Sequence, residues 1–340
     1  VTDDRLDSAR GALLGLAVGD AIGMPAHFHR HARSGWSRAM LWQLSADLDA
    51  QQVSRPLLPF TPTADGHPLC GTDDTETMAT AALVLLGAED HGSDGLFRRW
   101  RHYIAEDPEA WCGTAERSAA RNARKGLVPP HTGADNPVHW DDGAVSAAVA
   151  CGVRYAGDVE QADRVAAAYA GITHAHEGVE AARAMARIIA ALVAGSPWEA
   201  ALDEGAAAVA RDGWLGRNLR TAEEIARQAS SAFAAVPALA RALSPGTYSD
   251  ARVAPETLPA ALAIARLCGP APEAAIQAAS LLSRQSDSLP AMVGAMTGAA
   301  AGADALPEEW RTEVDEVRGV LVPGVAGTRL GTLATRLLPT

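Results

Sequence analysis

The segment EGVEAARAMARIIAALVAG, residues 177–195, constrains the fold of this chain more than any other. Val179, Ala182, Ala186, Ile189 and Val193 recur three or four residues apart, which lays them along one face of an α-helix, and Gly195 suits its C-cap. Hydrophobic residues make up 48% of the chain and aromatics only 5%, so its apolar content is heavily alanine. Alanine is the best helix former, and its small side chain lets backbones pack closely. Few windows alternate with the period of two that marks a strand. The expected fold class is therefore all-α.

Other helices follow from local signals. Leu13–Val18 reads as a helix that Gly19, Gly23 and Pro25 break, and Thr77–Gly87 as a second. Thr221 and Glu224 have capping-box spacing before a further helix, and Pro272 suits the first turn of another. Leu289, Met292, Val293 and Met296 mark the face of a last long helix. Residues 29–68 and 128–143 are rich in Pro, Gly, Asp and His and read as irregular; long loops within a domain are often functional. No fixed-period repeat or linker divides the 340 residues, so one domain over 1–340 is expected.

The net charge of −12, without a basic stripe, argues against a nucleic-acid surface but does not exclude a small anionic substrate. Cys70, Cys112, Cys151 and Cys268 lie far apart with no C-x-x-C pair, which predicts free thiols in a reducing compartment. The polar start VTDDRLDSAR and the short, interrupted apolar runs predict neither a signal peptide nor a membrane span. A cytoplasmic protein is the expectation.

Chemistry concentrates in CGTDDTETMA, residues 70–79. Thr72, Asp73 and Asp74 offer three oxygens just before a helix, the donor type that hard cations such as Mg²⁺ prefer. Taken alone, an aspartate at that place is more commonly an N-cap. SRQSDSLPAMVGAM repeats the design, with Asp287 and Ser288 at a helix start and Pro290 tolerated in the first turn.

With GALLGLAVGDAIGMPAHF added, these blocks resemble, in order and separation, the ADP-ribosylglycohydrolase family, which includes the dinitrogenase-reductase-activating hydrolases. That family's pattern is G-D-A-x-G-x-P-x-E, then T-D-D-T, then G-G-D-x-D-T. Gly19, Asp20, Ala21, Gly23 and Pro25 match the first block, and Thr72, Asp73, Asp74 and Thr75 match the second. CGTAERSA, DDGAVSA and GITHAHEGVEAA are similar to its G-x-x-T, N-G-A-x-M-R and L-T-H-x-x-x-x-x-x-A segments, so the likeness runs from about Arg5 to Trp310. The resemblance implies a compact, orthogonal all-α bundle around a Mg²⁺ site, usually binuclear, at the bottom of a cleft. It also implies that Asp142, Gly143, Ala144 and His174 line the substrate pocket.

Three departures fall on functional positions of the family, and two of them, the glutamate and the first aspartate, serve its metal. His27 replaces the glutamate, Gln285 replaces the first aspartate of D-x-D-T, and Ser283 and Arg284 replace the two glycines. Losing two carboxylates removes about two negative charges from a cage that must offset the repulsion of two close cations. One Mg²⁺ site is therefore expected, built from Thr72, Asp73, Asp74 and Asp287 with Ser288 close by, while a second using His27, Gln285 and Ser288 is weak or lost. Arg284, with Gln285 beside it, could stand in for the missing cation or hold a substrate phosphate.

His27 could act as general acid or base, or could simply fill the vacated metal position. His27, His29 and His31 would share one side of an extended segment, either as a soft-metal site or as solvated loop histidines. Trp140 could stack on a base or pack in the ordinary way, and WRTEVDEVRG reads as a solvated helix face.

The expected function is Mg²⁺-dependent hydrolysis of a ribosyl N-glycosidic bond in a small ribosylated or ADP-ribosylated metabolite. Asp73, Asp74 and His27 are the catalytic candidates. Removal of ADP-ribose from protein arginine is the nearest rival. A non-catalytic ribose- or ADP-ribose-binding protein is the rival from another class.

Overall fold

The computed structural model describes residues 3–31, 69–110, 112–243, 252–282 and 288–338; the side chains of residues 24–31 are not described. The chain begins with α1 (Asp3–His31), α2 (Asp73–Gly87), α3 (Ser93–Tyr103) and α4 (Thr114–Arg124). The short α5 (His131–Ala134) leads to α6 (Gly143–Arg154), α7 (Val159–Ala170), α8 (Glu177–Val193) and α9 (Trp198–Ala207). Then come α10 (Trp214–Gln228), α11 (Ala232–Leu243), α12 (Ala254–Cys268) and α13 (Pro272–Ala279). The last are α14 (Ser288–Ala301), α15 (Glu308–Val314) and α16 (Leu330–Leu337). No strand occurs among the described residues, and isolated bridges pair Asp141 with Val253 and Glu316 with Arg329. The class is all-α, as the alanine content predicts.

Residues 11–23 of α1 are buried on every side, so α1 is the axis of the molecule rather than a half-solvated surface helix. Its neighbour is α14, whose residues 288–299 are equally enclosed. The two meet backbone to backbone. A Cβ on Gly11 would lie 2.0 Å from the carbonyl oxygen of Gly298, one on Gly15 2.1 Å from that of Gly294, and one on Gly19 2.0 Å from that of Pro290. A core rich in alanine buries little area per side chain, so dispersion at close approach must supply more of its cohesion.

That seam corrects two expectations. The first helix does not end at Gly19: it continues through Gly23 and Pro25 to His31. Gly19 is there for contact with α14, not for a turn. The backbone at His27, His29 and His31 is therefore helical rather than extended, which removes the reason for placing the three on one side.

Thr221 and Glu224 do not open a helix either. They lie inside α10, where the Thr221 hydroxyl donates back to the Arg217 carbonyl at 3.2 Å. The helix starts at Trp214, and the capping-box spacing merely recurs within it. The expected face of α8 is buried at Ala182, Ala186, Ile189 and Val193, and Gly195 takes φ +88° just beyond the helix end. Pro272 is the first residue of α13. The stretch 128–143 contains α5, and WRTEVDEVRG buries Trp310 and Val314, so neither is wholly as its composition suggests. The four cysteines are free thiols.

Candidate metal centre

α2 begins at Asp73, four residues earlier than its apolar run indicates, so Asp73 and Asp74 lie in its first turn. Carboxylates there are favoured by the exposed amides and the helix dipole. Neither is the N-cap; Thr72 occupies that position without a side-chain cap bond. The amides of the first turn are satisfied from another helix. Asp20, fully buried on α1, accepts from Thr72 N at 2.6 Å and from Thr75 N at 3.0 Å on the same oxygen. The Thr75 hydroxyl donates to that oxygen at 2.6 Å, and the Thr72 hydroxyl donates to the other.

Asp20, Asp73 and Asp74 thus each present a carboxylate oxygen within 4.8 Å of the others. Thr72 Oγ1 stands 3.1 Å from Asp73 Oδ1, and the Ser146 hydroxyl on α6 donates to Asp74 Oδ1. Ionised carboxylates at that spacing repel by roughly 3–4 kcal/mol per pair at an effective dielectric constant near 20. The strain registers on Asp20, whose pKa is pushed up to about 7, first by burial and then by Asp73, against the opposing hydrogen bonds of Thr72 and Thr75. Protons or a cation relieve such a cluster. Its donors are all oxygens, the set that suits a hard divalent ion and not a soft one.

A second polar cluster flanks the first. The His174 ring is enclosed, with Nε2 2.6 Å from Asp141 Oδ1 and Nδ1 2.6 Å from Thr173 Oγ1. Burial pulls the His174 pKa down, but the charge and hydrogen bond of Asp141 outweigh it and the net shift is upward. With both nitrogens protonated, Nε2 donates to Asp141 and Nδ1 to Thr173.

Asp141 Oδ1 also accepts from Gly143 N at 2.9 Å, fixing the start of α6. The loop is held from the other side by Asp142 N to the Arg252 carbonyl at 3.1 Å and by Ala254 N to the Trp140 carbonyl at 3.0 Å. Glu116 closes the cluster, and its pKa is raised by burial and then by Asp141. A Cβ at position 143 would stand 3.4 Å from Glu116 Oε1 and 3.3 Å from Asp141 Oδ1, so glycine leaves these carboxylates room. A cavity of about 20 Å³, enough for one water, lies beneath, bordered by Thr77, Thr80, Glu116, Gly143 and Thr173. A larger cavity of about 680 Å³, lined by His91, Arg154, Tyr155 and Arg164, contains none of these residues.

Of the candidates from sequence, Thr72, Asp73 and Asp74 converge with Asp20. Asp142, Gly143, Ala144 and His174 gather at the start of α6 and the turn before α8. Ser288 is buried as the first residue of α14, two positions before the Pro290 carbonyl that touches Gly19 beside Asp20. Arg284, Gln285 and Asp287 lie outside the described residues, as does the side chain of His27. Sequence reasoning passed over Asp20 as a ligand, although a single aspartate in an otherwise apolar helix was its signal. Ser146, Asp141 and Glu116 were also passed over.

Comparison with known proteins agrees with this architecture. A solved structure described as an ADP-ribosylglycohydrolase-related protein complex superposes with a TM-score of 0.62 at 22% identity, over 99% of this chain and 98% of that one. A comparison with curated proteins gives no match. The model of the ADP-ribosylglycohydrolase family, whose activity is glycoside hydrolysis on ADP-ribose-type substrates, matches residues 1–339, and the chain belongs to that family.

Proposed function

We propose that the chain is a Mg²⁺-dependent hydrolase that cleaves a ribosyl N-glycosidic bond in a small ribosylated or ADP-ribosylated metabolite, using one ion. The observation that carries this reading is the convergence of Asp20, Asp73 and Asp74 within 4.8 Å. When bound, such an ion supplies a Lewis acid that can grip vicinal ribose hydroxyls. Asp20, Asp73, Asp74 and the Thr72 hydroxyl would hold it, with Asp287 and Ser288 as further donors. The altered residues His27 and Gln285 favour a single ion and a substrate other than ADP-ribosyl-arginine.

The protein's own groups then divide the work. Positive charge develops at the sugar as the glycosidic bond breaks, and the Asp73 and Asp74 carboxylates stabilise it. Either can also accept a hydrogen bond from the attacking water and so aim its oxygen. His174 is enclosed and directs Nε2 to Asp141, so it shapes the pocket wall at Gly143 rather than exchanging protons with substrate. Arg284 and Gln285 are proposed to meet the ribose or its phosphate, and His27 to act as acid or base where the family has glutamate. The net charge of −12 argues against a nucleic-acid partner, and no helix among the described residues is long and apolar enough to cross a membrane.

The test is product release, read by mass spectrometry, from N-ribosides ranging from ADP-ribosyl-arginine to nucleosides, nucleoside monophosphates and NAD-derived compounds, with Mg²⁺ or with chelator. Metal-dependent release from a small riboside alone is the expected result. Release from ADP-ribosyl-arginine would favour protein de-ADP-ribosylation. No release from any compound despite bound Mg²⁺ would favour the non-catalytic binder.

A further inference from the structure

Ser146, like Thr75 at the start of α2, is a buried helical hydroxyl that donates to a carboxylate on another helix. The helical hydroxyls of Thr80, Thr257 and Thr297 donate back to the carbonyl four residues earlier, at 2.7, 3.2 and 2.8 Å. That is how a helix commonly satisfies such a group. Ser146 instead crosses from α6 to Asp74 Oδ1 on α2. It is 1% exposed, so the bond is not exchanged for one to water.

The other hydroxyls around the carboxylates, Thr72 and Thr75, belong to the same stretch of chain as Asp73 and Asp74. Ser146 is anchored independently. Three residues before it, Gly143 N is fixed to Asp141, and Asp141 is fixed to His174.

We infer that Ser146 is a positioning residue for the cation: its hydroxyl holds the Asp74 carboxylate in its ligating orientation and thereby sets the affinity of the site. The inference rests on the proposed reading of the triad as a cation site. An aspartate has two soft side-chain torsions, and freezing them on binding costs entropy. A neutral O–H donor on Oδ1 removes that cost beforehand. It also stabilises the charge on Asp74 beside two other carboxylates without cancelling any of the charge the cation needs. Partners in this role typically change metal affinity by about 10–100-fold when removed.

The experiment is titration of the full chain with Mg²⁺ or Mn²⁺ alone, by calorimetry and by the paramagnetic signal of Mn²⁺. Wild type is compared with Ser146→Ala, Ser146→Thr and Asp74→Ala, and far-UV circular dichroism reports the fold of each. Ser146→Ala is expected to bind at least about 10-fold more weakly and Ser146→Thr within about threefold of wild type. Should Ser146→Ala fail to fold, the near-isosteric Ser146→Cys, a weak donor, takes its place with the same expected loss. Wild-type affinity in folded Ser146→Ala, alongside lost binding in Asp74→Ala, overturns the role of Ser146 while leaving the cation site standing. No binding by wild type, or equal binding by Asp74→Ala, overturns the cation reading and this inference together.

Discussion

The seam between α1 and α14 and the oxygen cluster beside it are neighbours held together by opposite means. Along the seam, backbones touch at Gly11, Gly15 and Gly19, and the atoms nearest each glycine are backbone atoms. One residue further, Asp20 begins a cluster that brings together three carboxylates, two of them buried and that of Asp73 half-buried. The first region is steric and indifferent to solution conditions. The second is electrostatic, and protons, cations and hydroxyl donors decide its energy. The rigid seam sets where Asp20 stands relative to the start of α14, so the variable chemistry is built on a position that does not vary.

The sharpest way to break that contrast is to place a methyl group in the seam. Gly15→Ala should cost at least about 3 kcal/mol despite the roughly 1 kcal/mol that alanine gains in helix propensity, because its Cβ meets the carbonyl of Gly294 and no rotamer relieves it. Denaturant unfolding at two pH values checks this, and the loss should be the same at both.

Next in size is Glu76, two residues beyond the carboxylate cluster on α2. Its carboxylate accepts from the amides of Val320, Leu321 and Val322 at 2.7, 2.8 and 2.8 Å, clasping the loop before α16. Glu76→Gln leaves fewer acceptors for those donors and should cost about 2 kcal/mol. Hydrogen exchange should accelerate at residues 320–322 and stay unchanged in α14, which separates the clasp from the seam.

The smallest effect concerns pH. His174 has a raised pKa, so the folded state holds a proton that the unfolded state releases near 6.5. This contribution is fully present below about pH 6.5 and is lost as pH rises through the folded-state value. The stability advantage of wild type over His174→Gln should therefore shrink between pH 6 and alkaline pH, by at most about 1.4 kcal/mol per pH unit. A pH-independent difference would show that His174 serves through packing alone.

The same contrast explains what could be read from the sequence. Helices whose evidence is local were legible: the face of α8, Pro272 at the start of α13, and the dominance of alanine over β-branched and aromatic residues. Asp73 and Asp74 announced themselves as adjacent carboxylates between hydroxyls. Gly19 misled because a glycine near a proline reads locally as a break, whereas its cause is the carbonyl of Pro290, far along the chain. Once the helix was ended there, Asp20 became a loop residue instead of the buried carboxylate that caps α2. Ser146 gave no signal, since a serine among alanines in a helix usually bonds its own backbone.

The most direct test of the cation site is thermal unfolding of wild type and Asp20→Asn, each with chelator and with Mg²⁺ in large excess. Asparagine can keep the Thr72 and Thr75 amides on its oxygen, so the variant should fold while losing a ligand charge. A cation bound at 100 times its dissociation constant stabilises by about 2.7 kcal/mol, so wild type should melt several degrees higher with Mg²⁺ and Asp20→Asn should not. A wild-type melting temperature unmoved by Mg²⁺, or an equal rise in the variant, would contradict the assignment of Asp20, Asp73 and Asp74 as the metal centre.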